Sequence, residues 1–140
     1  MLDPVQYTIE FTSERLPEDL GIELSHNTSD LEIFENIDLP FLTAHLTIYD
    51  EQSFYERADI LGAEKIKITI QSLRGQKSNK SSTVEPKLIV KNFYIAEVDF
   101  TAKSAEDGRG QAIMFHLIED IGYQSFLQNL NKFYKGKCSD

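Results

Sequence analysis

SDLEIFENIDLPFLTAHLTIYDEQSFYERADILGAEKIKITIQS, residues 29–72, is the stretch whose reading decides the fold. At its centre Leu42, Ala44, Leu46 and Ile48 alternate with Thr43, His45, Thr47 and Tyr49. Later, Ile66, Ile68 and Ile70 alternate with Lys65, Lys67, Thr69 and Gln71. Successive side chains of an extended chain point to opposite faces, so this period of two predicts half-buried antiparallel strands with one wet face. Asn36–Pro40 supply corner chemistry between a strand over 29–36 and another over 41–49. Asp50 or Ser53 is placed to cap a short helix reaching Arg57, Gly62 ends that bridge, and a strand follows over 64–72.

Working outward, Val5, Tyr7, Ile9 and Phe11 alternate with Gln6, Thr8 and Glu10, which predicts a first strand. Residues 12–28, with Pro17, Gly21 and the Asn27-Thr28-Ser29 cluster, read as an irregular excursion. Residues 74–85, RGQKSNKSSTVE, have too little apolar content to pack and are expected to form a mobile polar loop. A long strand over 87–103 places Leu88, Val90, Tyr94, Ala96, Val98, Phe100 and Ala102 in one phase. The other phase starts apolar at Ile89, Phe93 and Ile95 and turns polar at Glu97, Asp99, Thr101 and Lys103. That switch predicts a bend or bulge as the strand passes between packed layers. Glu106-Asp107-Gly108 suits a hairpin turn, and 110–118 form the last strand.

From Asp120 the apolar spacing becomes helical, through Ile121, Phe126, Leu127, Leu130, Phe133 and Tyr134, although Gly122 weakens the first turn. Lys132 and Lys135 fall where the helix dipole favours cations, and Gly136 suits the C′ position. The expected fold is therefore mainly β, a six-stranded antiparallel barrel or sandwich with a C-terminal α-helix. At 140 residues it forms one domain, 1–140.

Composition narrows the function classes. The 41% hydrophobic and 26% charged content is that of a globular domain, and no apolar run approaches the roughly 20 residues of a membrane span. The first residues lack the basic start and apolar stretch of a signal peptide. The single cysteine, Cys138, excludes a disulfide scaffold, which fits assembly in a cytosolic compartment. A net charge of −9 argues against sequence-specific nucleic-acid binding. It suits either plain solubility or a wall that DNA passes without sticking.

Chemistry-bearing motifs are absent from the sequence. His26, His45 and His116 have no metal-ligand spacing with cysteine or carboxylate and read as packing or surface histidines. There is no nucleophile elbow, phosphate-cradling loop or zinc-protease motif, so no catalytic, cofactor or metal site is expected and the chain does not read as an enzyme. Glu32/Glu35 and Glu97/Asp99 could be paired carboxylates by spacing, but Glu97 and Asp99 share one strand face with no sign of desolvation. A weakly polar strand face of this kind serves instead as an interface or channel lining.

Three blocks in this order, SDLEIFENIDLPFLTAHLTIYDE, ILGAEKIKITIQS and KNFYIAEVDF…GQAIMFHLIEDIGYQSFLQNL, span about residues 29–130. The arrangement resembles the first tube domain of the central baseplate hub proteins of T-even-like contractile-tailed bacteriophages. The points of likeness are a strand running into the aromatic-Asp pair Tyr49-Asp50, a bridge entering a strand at Gly62-x-Glu64, and a long hairpin followed by a helix.

The resemblance implies a structural virion protein of the tail baseplate, assembled in the host cytoplasm as a homotrimer. Its ring would imitate the sixfold tail tube above and hold the central spike below, among surrounding baseplate proteins, with DNA passing through unbound. It implies that strands near 29–36, 41–49, 87–103 and 110–118 line the lumen or join neighbouring sheets. Glu97 and Asp99 are the expected lumen-facing residues, and Thr43, His45 and Thr47 the expected inter-subunit sheet contacts. The family's hubs are longer and carry a second tube domain, so the chain reads as the N-terminal part of a hub or as a one-domain tube-type protein. The rivals are a homohexameric tail-tube or tube-completion protein and, from another class, a small barrel binding a ligand or glycan through Tyr49, Phe54, Tyr55 and Tyr94. A lysozyme-like enzyme using Glu32 and Glu35 is a distant third.

Overall fold

A computed structural model of the protein describes residues 5–16, 21–51, 53–62, 64–72, 87–103 and 110–128. The strands are β1 (Val5–Thr12), β2 (Ile22–Glu23), β3 (Thr28–Phe34), β4 (Thr43–Asp50), β5 (Lys65–Ser72), β6 (Leu88–Lys103) and β7 (Gln111–Glu119). Two helices accompany them, α1 (Phe54–Ala58) and α2 (Asp120–Leu127). The seven strands form one antiparallel sheet in the order β2-β1-β5-β6-β7-β4-β3, curled into a half-barrel. The expected loop over 74–85 and the turn at 106–108 lie outside the described residues, and the helix expected to continue from Asp120 to Tyr134 instead ends at Leu127, where Gln128 is extended, with the positions past Gln128 outside the described residues.

Two further expectations change. The excursion over 12–28 contains β2 and a 3-10 turn at Ser25–Asn27, so the described residues form seven strands where six were expected. There is also a single curled sheet, not two packed layers. The reason lies in the link between the edge strands. β2 and β3 end opposite sides of the sheet, yet only Leu24 and the 3-10 turn separate them in the chain.

That turn bridges both sides of the curl. Ser25 Oγ accepts from the Ile9 amide at 2.9 Å, and the Leu24 amide donates to the Ile9 carbonyl at 2.8 Å. On the other side, Asn27 Nδ2 donates to the Tyr49 carbonyl at 3.3 Å. These contacts involve polar side chains in a short segment without hydrophobic periodicity, so period counting passes over it.

The alternation in β4 is realised in full. Ala44, Leu46 and Ile48 are buried, while Thr43, His45, Thr47 and Tyr49 lie on the solvent face. Ile9 and Phe11 of β1, Ile66 and Ile68 of β5, Phe93 of β6, and Phe115 and Leu117 of β7 complete the core face. Leu16, Ile22 and Phe54 pack against it from the excursion and α1, with the Phe54 ring edge-on to Phe11 at 5.1 Å.

In β6 the anticipated bulge is present and its effect on phase is larger than the sequence pattern suggests. Ile95 pairs with Leu117 and Glu97 with His116, leaving Ala96 as the extra residue. Before it, Phe93 and Ile95 face the core and Tyr94 faces solvent. After it, Val98 and Phe100 share the phase of Phe115 and Ile113, and Glu97 and Asp99 face solvent. The single phase expected for Leu88 through Phe100 is therefore split at Ala96. An extra residue leaves one position unpaired and reverses side-chain direction beyond it.

α2 lies against the solvent-face side of the β6–β7 end. Tyr123 stacks on Tyr94 with ring centres 4.1 Å apart, and Phe126 meets Phe41 at 6.1 Å. Gly122, unfavourable in a helix by propensity, is buried here for a packing reason. A Cβ at this position would lie 2.6 Å from the Phe41 ring and 2.8 Å from Ile118.

Buried carboxylates hold the connections. Asp50 accepts from the Phe54 and Tyr55 amides at 2.7 and 3.0 Å and so satisfies the first turn of α1. Ser53 occupies the N-cap position without a capping side-chain bond. Glu64, 1% exposed, accepts from the Leu61 amide at 3.0 Å, the Gly62 amide at 2.9 Å and the Arg15 guanidinium. Arg15 also donates to the Asp59 carbonyl at 2.6 Å, which ties the excursion to the α1–β5 bridge.

Glu119, whose side chain is 13% exposed, closes the corner before β4. It accepts from the Leu42 amide and from Lys91 Nζ, each at 2.9 Å. Burial pushes its carboxyl up, but the Leu42 amide and the Lys91 ammonium outweigh burial and hold it below the usual glutamate range. A carboxylate depressed in the native state stabilises the fold above its unfolded pKa and loses that contribution as pH falls through the native value. Urea titrations should therefore show stability falling below about pH 4.5, with part of that slope absent in Glu119→Gln. At neutral pH the variant should be less stable by about 1–2 kcal/mol.

Candidate functional site

The solvent face of β6, β7, β4 and β3 gathers the residues singled out from the sequence. Glu97 pairs in register with His116, Asp99 with Met114, His45 with both His116 and Glu32, and Thr47 with Met114 and Asp30. Thr43 sits between Ile118 and Phe34. Glu97, Asp99, Thr43, His45 and Thr47 thus share one face, because the Ala96 bulge turns the β6 acids to the side occupied by the odd-numbered positions of β4.

Within this face a row of titratable side chains crosses four strands. His116 Nε2 lies 2.7 Å from Asp99 Oδ2, and His45 Nδ1 lies 4.0 Å from Glu32 Oε2. The two imidazoles meet edge to face with centroids 4.5 Å apart, and Phe34 covers His45 from the far side at 4.9 Å. Asp99 and His116 have the form of an oriented acid–base pair, but the ring that His116 meets is another imidazole rather than a nucleophile. Among the described residues no group of three His, Cys, Asp or Glu side chains is arranged to hold a metal ion. His45 and His116, read from the sequence as separate surface and packing residues, are cross-strand neighbours, which a pattern of alternation within single strands does not reveal.

β4 lies inside the sheet, with β7 on one side and β3 on the other. Its backbone is committed to those partners, so Thr43, His45 and Thr47 can meet a neighbour only through their side chains. The sheet edges are elsewhere. β3 has no strand on its outer side among the described residues, and β2 pairs only with Glu10 and Phe11 of β1. Beside the β3 edge, Ile33 and Phe34 are partly exposed and Ile37 of the following corner is fully exposed.

Tyr49, Phe54, Tyr55 and Tyr94 do not form one platform. Tyr49 lies over Gly110, where a Cβ would collide with its phenol ring. Phe54 belongs to the core margin, Tyr55 packs edge-on to Phe100 at 4.8 Å, and Tyr94 is covered by Tyr123. Glu32 and Glu35 do not converge either: Glu32 faces His45, while Glu35 follows the end of β3 and lines the groove beside Lys91 and Glu119.

A separate cavity of about 270 Å³ opens between β2, β4 and α1. Its wall is apolar at Leu16, Ile22, Leu24, Ile48, Phe54 and Ala58, with Glu23, Asn27 and Arg57 also lining it. It is near the lower end of the size range for small-molecule sites. Among the described residues no helix is long and apolar enough to cross a membrane. A scan against protein-family models gives no match, and neither does a search of the curated proteins.

Proposed function

We propose that this chain is a tube-type structural subunit of a contractile phage tail, most specifically a baseplate hub ring. It would join the tail tube to the central spike, as a homotrimer or alternatively a homohexamer, and leave a conduit for DNA. The observation that carries the reading is a curled antiparallel sheet with an outer edge free of strand partners among the described residues and an acid-rich row across its solvent face. Edge strands invite pairing with another chain, and ring closure is the arrangement that satisfies them without open-ended growth. Fixed negative charge from Glu97 and Asp99 would keep phosphates from adhering as DNA passes. The virion baseplate is then its place, with tail-tube, spike and surrounding baseplate proteins as partners.

Light scattering combined with negative-stain imaging of the same fractions tests this directly. Rings of three or six subunits around a hole are the expected result, and the count separates hub from tube. A monomer at every concentration, in the presence of any downstream segment of the same protein, would overturn the ring. The apolar cavity of about 270 Å³ favours one other reading, a small ligand-binding barrel. That reading predicts a monomer whose melting temperature rises with a small apolar ligand.

A further inference from the structure

The cavity between β2, β4 and α1 measures about 270 Å³. Leu24, Ile48 and Ala58 of the core line it, together with the half-buried Leu16, Ile22 and Phe54. An apolar cavity of about 150 Å³ already admits a benzene ring, so this one has room for a ring carrying a short chain. Water gains little there, because an apolar lining offers it few hydrogen-bond partners. Arg57 of α1 adds a cation to the lining, and among the described residues its guanidinium has neither an ion pair nor a hydrogen bond. We infer that the cavity is a binding site for a small amphipathic monocarboxylate, with the apolar body inside and the carboxylate on Arg57. This gives the ligand of the second reading a chemical class.

Neither acid of the lining is placed to take Arg57. Asp50 turns its carboxylate to the Phe54 and Tyr55 amides at 2.7 and 3.0 Å. Glu23 is the ladder partner of Glu10, whereas Ile22 is that of the core residue Phe11. Alternation therefore puts Glu23 on the outer face of the sheet, on the side where Glu10 pairs with Lys67. α1 is also strained at both ends. Ser53 before it and Asp59 after it hold φ of 53° and 48°, a left-handed backbone that residues with a side chain disfavour. Such outliers collect where a ligand is clamped, and here they frame the element that carries Phe54, Arg57 and Ala58. All these residues belong to one chain, so the site needs no ring, and ring formation can succeed or fail independently of it.

The probe is phenylpropionate, with phenylpropanol as its uncharged counterpart, followed by amide NMR of the full chain. Saturable shifts are expected at Leu24, Ile48, Phe54 and Ala58, with a dissociation constant on the order of 1 mM or tighter, as suits about ten non-hydrogen atoms. The alcohol should bind roughly tenfold more weakly, the size of one charge-assisted hydrogen bond. Arg57→Gln, at an exposed position, should weaken the acid roughly tenfold and leave the alcohol unchanged. Ala58→Leu, which fills the cavity, should abolish binding of both. Should that variant fail to fold, the Arg57 comparison decides alone. No saturable shift at these residues, or shifts that saturate elsewhere, would overturn the site. Equal binding of acid and alcohol, unmoved by Arg57→Gln, would overturn the carboxylate assignment.

Discussion

Replacing Glu64 by alanine should destabilise the protein by about 1–3 kcal/mol, the range for leaving partly buried backbone groups without their acceptor. Its carboxylate is the acceptor for two backbone amides and for Arg15, at a site 1% exposed. Alanine leaves the Leu61 and Gly62 amides without that acceptor and frees Arg15 from the bridge. Gly62 also holds a left-handed φ of 113°, so the turn is shaped around this carboxylate. Urea denaturation is the measurement, with Glu64→Gln as the graded control. Glutamine keeps one acceptor oxygen and should fall between the two. Arg15→Ala should cost less than Glu64→Ala, because the arginine side chain is 40% exposed and the amide bonds to Glu64 remain. Equal losses in the two single variants would show that the ion pair, and not the amide capture, carries the stability.

The second large effect belongs to the tube reading. Glu97 and Asp99 are exposed, adjacent on one face and outside the core, so Glu97→Lys/Asp99→Lys should leave the fold intact. Each subunit of a ring then presents two cations where it had two anions. DNA phosphates would be retained at those points, and ejection from assembled particles should slow by on the order of tenfold, with high salt relieving the delay. Asp99 also holds His116 at 2.7 Å, so Glu97→Gln/Asp99→Asn separates lost pairing from gained attraction. The neutral variant should eject at close to the normal rate. Imaging checks that rings still form. Normal ejection by the lysine variant in intact particles would remove these two residues from the lumen.

Legibility followed the physics of each element. The strands of the Ile66–Ile70 and Leu42–Ile48 stretches could be read because burial on one face imposes a period of two, and β4 keeps it without exception. The bulge in β6 was visible as a change of polarity, yet which residues changed sides was not, because Ala96 is a small residue compatible with either face. β2 escaped because two residues are too few to show any period. The solvent-face row was half legible. Glu97, Asp99 and His45 stood out as polar positions on strands, but their meeting depends on the neighbour order β6-β7-β4-β3, which sequence spacing does not encode. The buried carboxylates Asp50 and Glu64 and the half-buried Glu119 resemble surface acids in composition. Only the backbone amides gathered around them distinguish their role.

Ala96 acts on the sheet as a frameshift acts on a message. Upstream of it, Phe93 and Ile95 spell the interior and Tyr94 the exterior; over 97–101 the assignment is exchanged, up to a second register shift between Thr101 and Lys103. The strand thereby carries two texts in one line, and the acids at 97 and 99 can be altered without rewriting Phe93 and Ile95. A lineage could retune the charge of the exposed face while the interior vocabulary stays fixed, provided the one-letter offset between them is kept.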